Sequence, residues 1–289
     1  MIVIPQRLFA DPNVAVLARD GQNAILHKCL DRDLIRREAY IANHAISIVL
    51  RGEQTLATYE DNYTTLKAGE MVLLPRGVYY VTDLKAGEDA FESLLFYFDD
   101  DAVRDFVSTL TVPDIDRAAA PEFLQLHQPD AVRSFADNVL NIYGNLNVTD
   151  EMLRLKTLEL LHLVNAAVPH QRFANFLFRL TLPRRRDLRR FMETHATKPL
   201  SVEDYAYLSG RSMTTFRRDF KDYYNTTPQR WIKEQRIKHA VNLLDQREMP
   251  VVDLAAEAGY QNVSYFIRAF KAQTGHSPKQ YMLARRAPE

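Results

Sequence analysis

Apolar and polar positions follow two rhythms along this chain. Up to residue 98, short apolar stretches alternate with turn residues. Ala45-Ile46-Ser47-Ile48-Val49-Leu50, then Arg51-Gly52-Glu53, then Gln54 to Tyr59 reads as strand, turn, strand. Leu66 to Gly77 reads as a turn feeding a buried strand with a Pro-x-Gly corner, and Phe91 to Phe98 as the last strand. Many short strands with glycine turns predict a small barrel or jelly roll. From 99 to 182 the rhythm turns helical. Asp130 to Tyr143 and Asp150 to Val168 are amphipathic and are closed by Gly144 and Pro169. The second of these carries Met152, Leu155, Leu160, Leu163 and Val164, more apolar surface than one barrel face needs. Leu160, Leu163 and Val164 are candidates for a dimer surface, and packing against the helix's own barrel is the alternative.

Beyond Pro183 the pattern repeats itself at a constant offset. Ala206 matches Ala256, Phe216 matches Phe266, Arg218 matches Arg268, and Phe220-Lys221 matches Phe270-Lys271. Thr227-Pro228 matches Ser277-Pro278, and Trp231 matches Tyr281. Each copy predicts a short helix, a tight turn and a second helix. In the first copy Ser201 with Asp204 forms a start signal, Ser209-Gly210 a turn and Ser212 the next cap. In the second, Gly259 suits a left-handed turn and Asn262 the cap. The second helix of copy one turns Met213, Phe216, Phe220 and Tyr223 inward and Thr214, Arg217, Arg218 and Lys221 outward. In copy two, Val263, Phe266 and Phe270 face inward, and Ser264, Ile267, Arg268 and Lys271 outward. Between the copies, Pro228 to Asp245 predicts a helix roughly 27 Å long. A rod of that length can hold two reading helices near successive major grooves, about 34 Å apart.

Charge changes the picture more than composition does. The net charge is zero, yet residues 1–182 hold a surplus of acid and residues 183–289 a surplus of base. That split predicts that the C-terminal half meets a polyanion, double-stranded DNA. Arg and Lys on the outward faces suit phosphates or bidentate base contacts, and Ile267 suits a thymine methyl group. The single cysteine excludes an intramolecular disulfide framework. No apolar run is long enough to span a bilayer and no signal start is present, so a cytoplasmic location and no membrane partner are expected. The eight histidines are scattered, and no nucleophile elbow, phosphate loop or carboxylate pair appears. No enzyme activity, cofactor or metal is expected.

The run Arg236-Ile237-Lys238-His239-Ala240 with Leu243-Leu244 resembles the linker-helix half of the AraC/XylS family signature. Val252 to Ala255, Ala258-Gly259-Tyr260, Ser264-Tyr265-Phe266, Arg268, Phe270-Lys271 and Ser277-Pro278 resemble the rest. The resemblance covers about residues 183–286. It implies a transcription regulator, most often an activator, on asymmetric sites. By position, Thr214, Arg217, Arg218, Ser264, Tyr265 and Arg268 look like that family's DNA-contacting face. Ile267 stands where the first copy has Arg217, which suggests that the second copy reads with less charge.

The Lys-Ala-Gly-Glu and Pro-Arg-Gly pieces resemble the cupin-like sensor domain common in that family. Metal-dependent cupins place histidines after the second glycine, where this chain has Val78-Tyr79-Tyr80, and His44 has no partner at ligand spacing. A cupin-type enzyme with a DNA-binding tail is thereby disfavoured. The barrel either binds a small effector lined by Tyr40, Tyr79, Tyr80 and Tyr97, or is a closed core that docks a regulatory protein. The domain pattern also resembles activators of type III secretion genes, commonly gated by protein partners.

The expected fold class is therefore α+β. A cupin-like β-barrel with a helical dimerisation segment occupies 1–182. An all-α DNA-binding domain occupies 183–289, with helix-turn-helix motifs at 201–223 and 250–274 joined by helix 228–245. The partners expected are promoter DNA, RNA polymerase, a second copy in a homodimer, and a small effector or regulatory protein.

Overall fold

A computed structural model describes residues 1–58, 62–110, 121–143, 148–168, 172–182 and 186–286. The chain divides into two compact units, Met1–Leu182 and Pro183–Glu289. Tyr59, Gly144, Pro169 and Pro183, named above as element ends or joins, lie outside the described residues.

The first unit is built on two sheets. One has the order β1 (Ile2–Ile4), β4 (Leu34–Ile41), β9 (Gly77–Leu84), β6 (Glu53–Ala57), β7 (Tyr63–Lys67). The other runs β11 (Leu124–His127), β8 (Glu70–Leu74), β5 (His44–Arg51), β10 (Phe91–Phe98), β3 (Asn23–Leu30), β2 (Val14–Asp20). Alternation decides which side chain goes where. Leu26, Val49, Val72 and Leu95 of the second sheet meet Ile41, Leu56 and Tyr79 of the first in one cluster between the sheets. Their neighbours Ile25, Ile48, Met71 and Phe96 point the other way, into a second cluster. That cluster is closed by α1 (Asp100–Ser108), α2 (Asp130–Tyr143), α3 (Asp150–Ala167) and α4 (Arg172–Leu180). Covering on both faces is why β5 reads as an almost unbroken apolar run.

Two expectations for this unit need correction. Residues 99–182 are not wholly helical, because β11 pairs antiparallel with β8. Its signal is short: Leu124 and Leu126 are buried, with Gln125 between them on the other face. The second correction concerns the dimer surface. Leu160 and Val164 are fully buried, and Leu163 is half-buried against the same core cluster. The surplus apolar area of α3 is consumed within the unit, since α3 meets α1, α2, α4, β2 and β3. The large apolar side chain that α3 does expose is Leu155, at 65%.

The second unit is entirely helical among its described residues: α5 (Leu188–His195), α6 (Val202–Leu208), α7 (Met213–Tyr224), α8 (Pro228–Gln246), α9 (Val251–Glu257), α10 (Val263–Thr274) and α11 (Pro278–Arg286). Local chemistry sets the boundaries. Ser201 and Asp204 close a reciprocal capping box on α6. Ser212, Thr227 and Asn262 accept from first-turn amides of α7, α8 and α10. The two long helices of the repeat end alike, on left-handed residues: Asn225 with φ 50° and Gly275 with φ 82°. Phe216 and Phe220 fill one core, and Phe266 and Phe270 the other. Tyr223, expected inward, is 64% exposed. Tyr224 takes that role, its ring 4.6 Å from Phe220 and 4.7 Å from Trp231.

Candidate nucleic-acid interface

The second helix of each motif presents a polar face. On α7, Thr214, Arg217, Arg218 and Lys221 are exposed; on α10, so are Ser264, Tyr265, Arg268 and Lys271. The opposite faces are the buried phenylalanines, so each helix is held by one side and open to solvent on the other. Ile267 departs from the expectation. It is half-buried and packs against the second motif's own core beside Val263. Its position borders Phe266 and Phe270, and an aliphatic chain there gains more by covering the core than by extending into water. The α10 face is therefore Ser264, Tyr265, Arg268 and Lys271, with Tyr265 supplying a half-exposed aromatic edge.

The two motifs are held by different joints. In the first, Arg211 Nε donates to Asp219 Oδ2 at 2.9 Å, and its Nη1 lies 2.9 Å from the carbonyl oxygens of Arg186 and Ser209. One guanidinium thus ties the turn, the reading helix and the entry segment together. Asp219 also lies 3.3 Å from Arg218 Nη2. The hydrogen bond from Arg211 holds the Asp219 carboxyl below the usual carboxylate range, against the opposing pull of burial, and Arg218 adds to it. At the same offset the second motif has Gln261 and Ala269, so it cannot build this joint.

Arg236 of α8 joins the motifs to each other. Its Nη2 donates to the carbonyl oxygens of Lys198 and, at 3.0 Å, Leu200, both in the loop before α6. Its guanidinium lies 5.7 Å from the ring centre of Tyr260, in the turn of the second motif. Tyr205 completes the loop from below, its hydroxyl donating to the His195 carbonyl at 2.8 Å. Burial pushes that hydroxyl up to about 12, so it stays a donor at any ordinary pH. Arg211, Asp219 and Arg236 were not singled out for these roles in the sequence, because their partners lie in other elements.

The four tyrosines proposed for an effector pocket do not share one space. Tyr79 and Tyr97 lie between the sheets, in the cluster with Leu56 and Leu95. Tyr40 and Tyr80 belong to the opposite face, since each alternates with an inward neighbour and Tyr80 pairs in register with Glu38. Arg76 Nε donates to the Tyr40 hydroxyl at 2.7 Å, and Tyr79 donates to the Pro75 carbonyl at 2.8 Å. What the sheets do enclose is an unforeseen polar group: Lys28 pairs with Asp83, whose other oxygen accepts from Gln54 Nε2 at 2.7 Å. His44 is buried between Asp100, at 2.9 Å, and the backbone amide of Arg76. Among the described residues no group of three or more His, Cys, Asp or Glu is placed to hold a metal. No described helix is long and apolar enough to cross a membrane.

Comparison with known proteins agrees with this geometry. A family model described as a helix-turn-helix domain matches residues 205–284. One described as the ExsA N-terminal regulatory domain matches residues 44–176. The chain is 27% identical over 243 residues to the virulence regulon transcriptional activator VirF of Yersinia enterocolitica, covering 82% of this chain and 88% of VirF. It is 36% identical over 93 residues to the HTH-type transcriptional regulator ExsA of Pseudomonas aeruginosa, covering 32% of this chain and 34% of ExsA. An apo ToxT variant from Vibrio cholerae aligns over 92% of this chain and 98% of its own, at 14% identity and a TM-score of 0.45. With two helix-turn-helix motifs on one linker helix and a region matching the ExsA N-terminal regulatory domain before them, this chain carries an AraC-type DNA-binding domain and is similar over most of its length to AraC/XylS-type transcription regulators.

Proposed function

We propose that the chain is a transcription activator in which one copy spans two unlike half-sites of promoter DNA. The observation that carries this reading is the Arg236 joint, which fixes two reading helices of different character on one rigid element. Helix α7 would bring Arg217 and Arg218 to bases or phosphates, with Thr214 and Lys221 beside them. Helix α10 would bring Arg268, Ser264 and Tyr265, with Lys271 toward phosphate. The first half-site is then the more strongly charged contact. The likeness to VirF, a transcriptional activator, supports activation, and the match to a regulatory domain supports gating through the first unit by a small effector or a regulatory protein; an activator of this kind would work in the cytoplasm with RNA polymerase.

The test is run-off transcription with purified RNA polymerase on genomic fragments that the protein retains. A rise in transcript on those fragments, abolished by Arg217→Ala with Arg268→Ala, is the expected result. Bound fragments with unchanged or reduced transcript would rule out activation.

A further inference from the structure

Two arginines stand side by side on the outward face of α7, and their surroundings differ. Arg218 is exposed, and its Nη2 donates to Asp219 Oδ1 at 3.3 Å. Among the described residues no carboxylate forms an ion pair with Arg217. Asp219 is half-buried, not a loose surface acid. Its other oxygen accepts from Arg211 Nε at 2.9 Å, and the Arg211 guanidinium is fixed in turn by the carbonyl oxygens of Arg186 and Ser209. The carboxylate is therefore anchored on the turn of the motif, independently of Arg218. The Arg211 hydrogen bond, with Arg218 adding to it, holds that carboxyl below the usual range, so it is charged at neutral pH.

An anchored acceptor does two things for an exposed arginine. It removes part of the side chain's rotamer freedom before DNA arrives, which lowers the entropy lost on contact. It also fixes the plane of the guanidinium. One of the five N–H donors is used on Asp219, so an edge with two donors remains for the O6 and N7 acceptors of a guanine. The carboxylate does not repel the duplex, because two guanidiniums flank it and leave the trio with a net positive charge. Asp219 also lies a step round the helix from Arg218, on the side away from Arg217 and Lys221. The second motif has no counterpart: Arg268 matches Arg218, but Ala269 stands at the place of Asp219 and Gln261 at that of Arg211.

We infer that Asp219 is a positioning residue for DNA specificity: anchored on Arg211, it holds the Arg218 guanidinium for bidentate contact with one guanine. The first half-site then contains a G·C pair that is read strictly. Arg268, with no such brace, reads its own half-site with more tolerance. Asp219 itself touches no base and acts through Arg218. The assignment rests on α7 being a reading helix, as proposed above, and the experiment separates the two.

The experiment uses the full chain. Selection from random duplex DNA gives the preferred site of the parent protein, of Arg217→Ala and of Arg218→Ala. Titrations then use four duplexes that differ only at the base pair relaxed by Arg218→Ala, which is expected to be G·C. Asp219→Asn, which keeps the shape and one acceptor for Arg211, should lower the preference for that pair at least fivefold and leave the pair relaxed by Arg217→Ala within twofold. Adding Arg218→Ala to Asp219→Asn should cost no further preference there. Arg218→Lys leaves the Arg211–Asp219 bond in place and keeps the charge. It should lose the same preference at least tenfold while affinity for unrelated duplex changes less than threefold. Asp222→Asn, exposed on the same helix, removes an equal charge and should change no preference. A uniform loss across all four duplexes in Asp219→Asn, a preference kept by Arg218→Lys, or a relaxed pair other than G·C overturns the inference. If Arg217→Ala relaxes the site and Arg218→Ala does not, the inference falls and α7 remains a reading helix. If neither relaxes it, α7 is not a reading helix and both fall.

Discussion

Gly259 and Thr197 approach so closely that a methyl group on Gly259 would lie 2.2 Å from the Thr197 carbonyl oxygen. Gly259 sits in the turn of the second motif with φ +81°, and Thr197 in the loop preceding the first. The same methyl group would come within 3.1 Å of Arg236 Nε. The glycine is therefore required twice, by its backbone conformation and by what it touches. Gly259→Ala should destabilise the second unit by about 2 kcal/mol or more. The single tryptophan, Trp231, lies in that unit against Phe220 and Tyr224, so urea unfolding followed by its fluorescence reads this directly.

Arg236→Lys keeps the charge but loses the fork that reaches the carbonyl oxygens of Ala196, Lys198 and Leu200 and the Tyr260 ring. Binding to duplexes carrying one half-site should change less than threefold. Binding to the full site should fall at least tenfold, since the fixed spacing of α7 and α10 supplies the gain from two contacts. Fluorescence anisotropy on the two duplex lengths checks this, and a parallel loss on both would contradict it.

The two left-handed helix ends offer a matched pair. Asn225 holds φ 50° where its counterpart is Gly275. Asn225→Gly should stabilise by up to about 1 kcal/mol, and Gly275→Ala should destabilise by about 1 kcal/mol or more. Urea midpoints by Trp231 fluorescence, compared in both directions, give the answer.

Leu160→Asp places a charge among Phe106, Phe173 and their neighbours in the helical core. It should unfold the helical layer of the first unit, at a cost of about 4 kcal/mol or more, rather than yield a folded monomer. Leu155→Asp, at an exposed position on the same helix, should leave the far-ultraviolet spectrum and melting temperature unchanged. A well-folded Leu160→Asp protein in circular dichroism would contradict the placement of α3.

Asp219 gives an acid-side signature. Its carboxyl titrates below the ordinary value of 3.8 when folded, through the hydrogen bond from Arg211. The stability it contributes is therefore full above that ordinary value and is lost as pH falls through the lower folded value. Asp219→Asn should flatten the acid limb of Trp231-detected stability below about pH 4, while changing little of its slope near neutrality. An acid limb identical to the parent would show that the Arg211–Asp219 pair does not support the motif.

What the sequence disclosed follows a physical line. The helices of the second unit were legible because their boundaries are written locally, in Ser201, Ser212, Thr227, Gly259 and Asn262. The strands β5 and β10 were legible because both their faces are buried. Less visible was anything depending on a distant partner. The period of α7 could not choose between Tyr223 and Tyr224, which the position of Trp231 decides. The apolar surplus of α3 looked like an interface because α1 and α4 gave no sign that they would cover it. Ile267 looked exposed because it borders two faces, and only the packed core shows which one claims it. The Arg236 contacts join residues too far apart in the chain for any local pattern to reveal.

The central claim is that α7 and α10 read the two halves of one asymmetric site, each through its own exposed face. Selection from random duplex DNA, followed by sequencing, tests it with the parent protein, Arg217→Ala and Arg268→Ala. The account predicts a bipartite preference in which Arg217→Ala relaxes positions in one half only, at a cost of about 1–3 kcal/mol on the preferred site, and Arg268→Ala relaxes positions in the other half. Unchanged preferences in both variants, or the same positions relaxed by both, would contradict it.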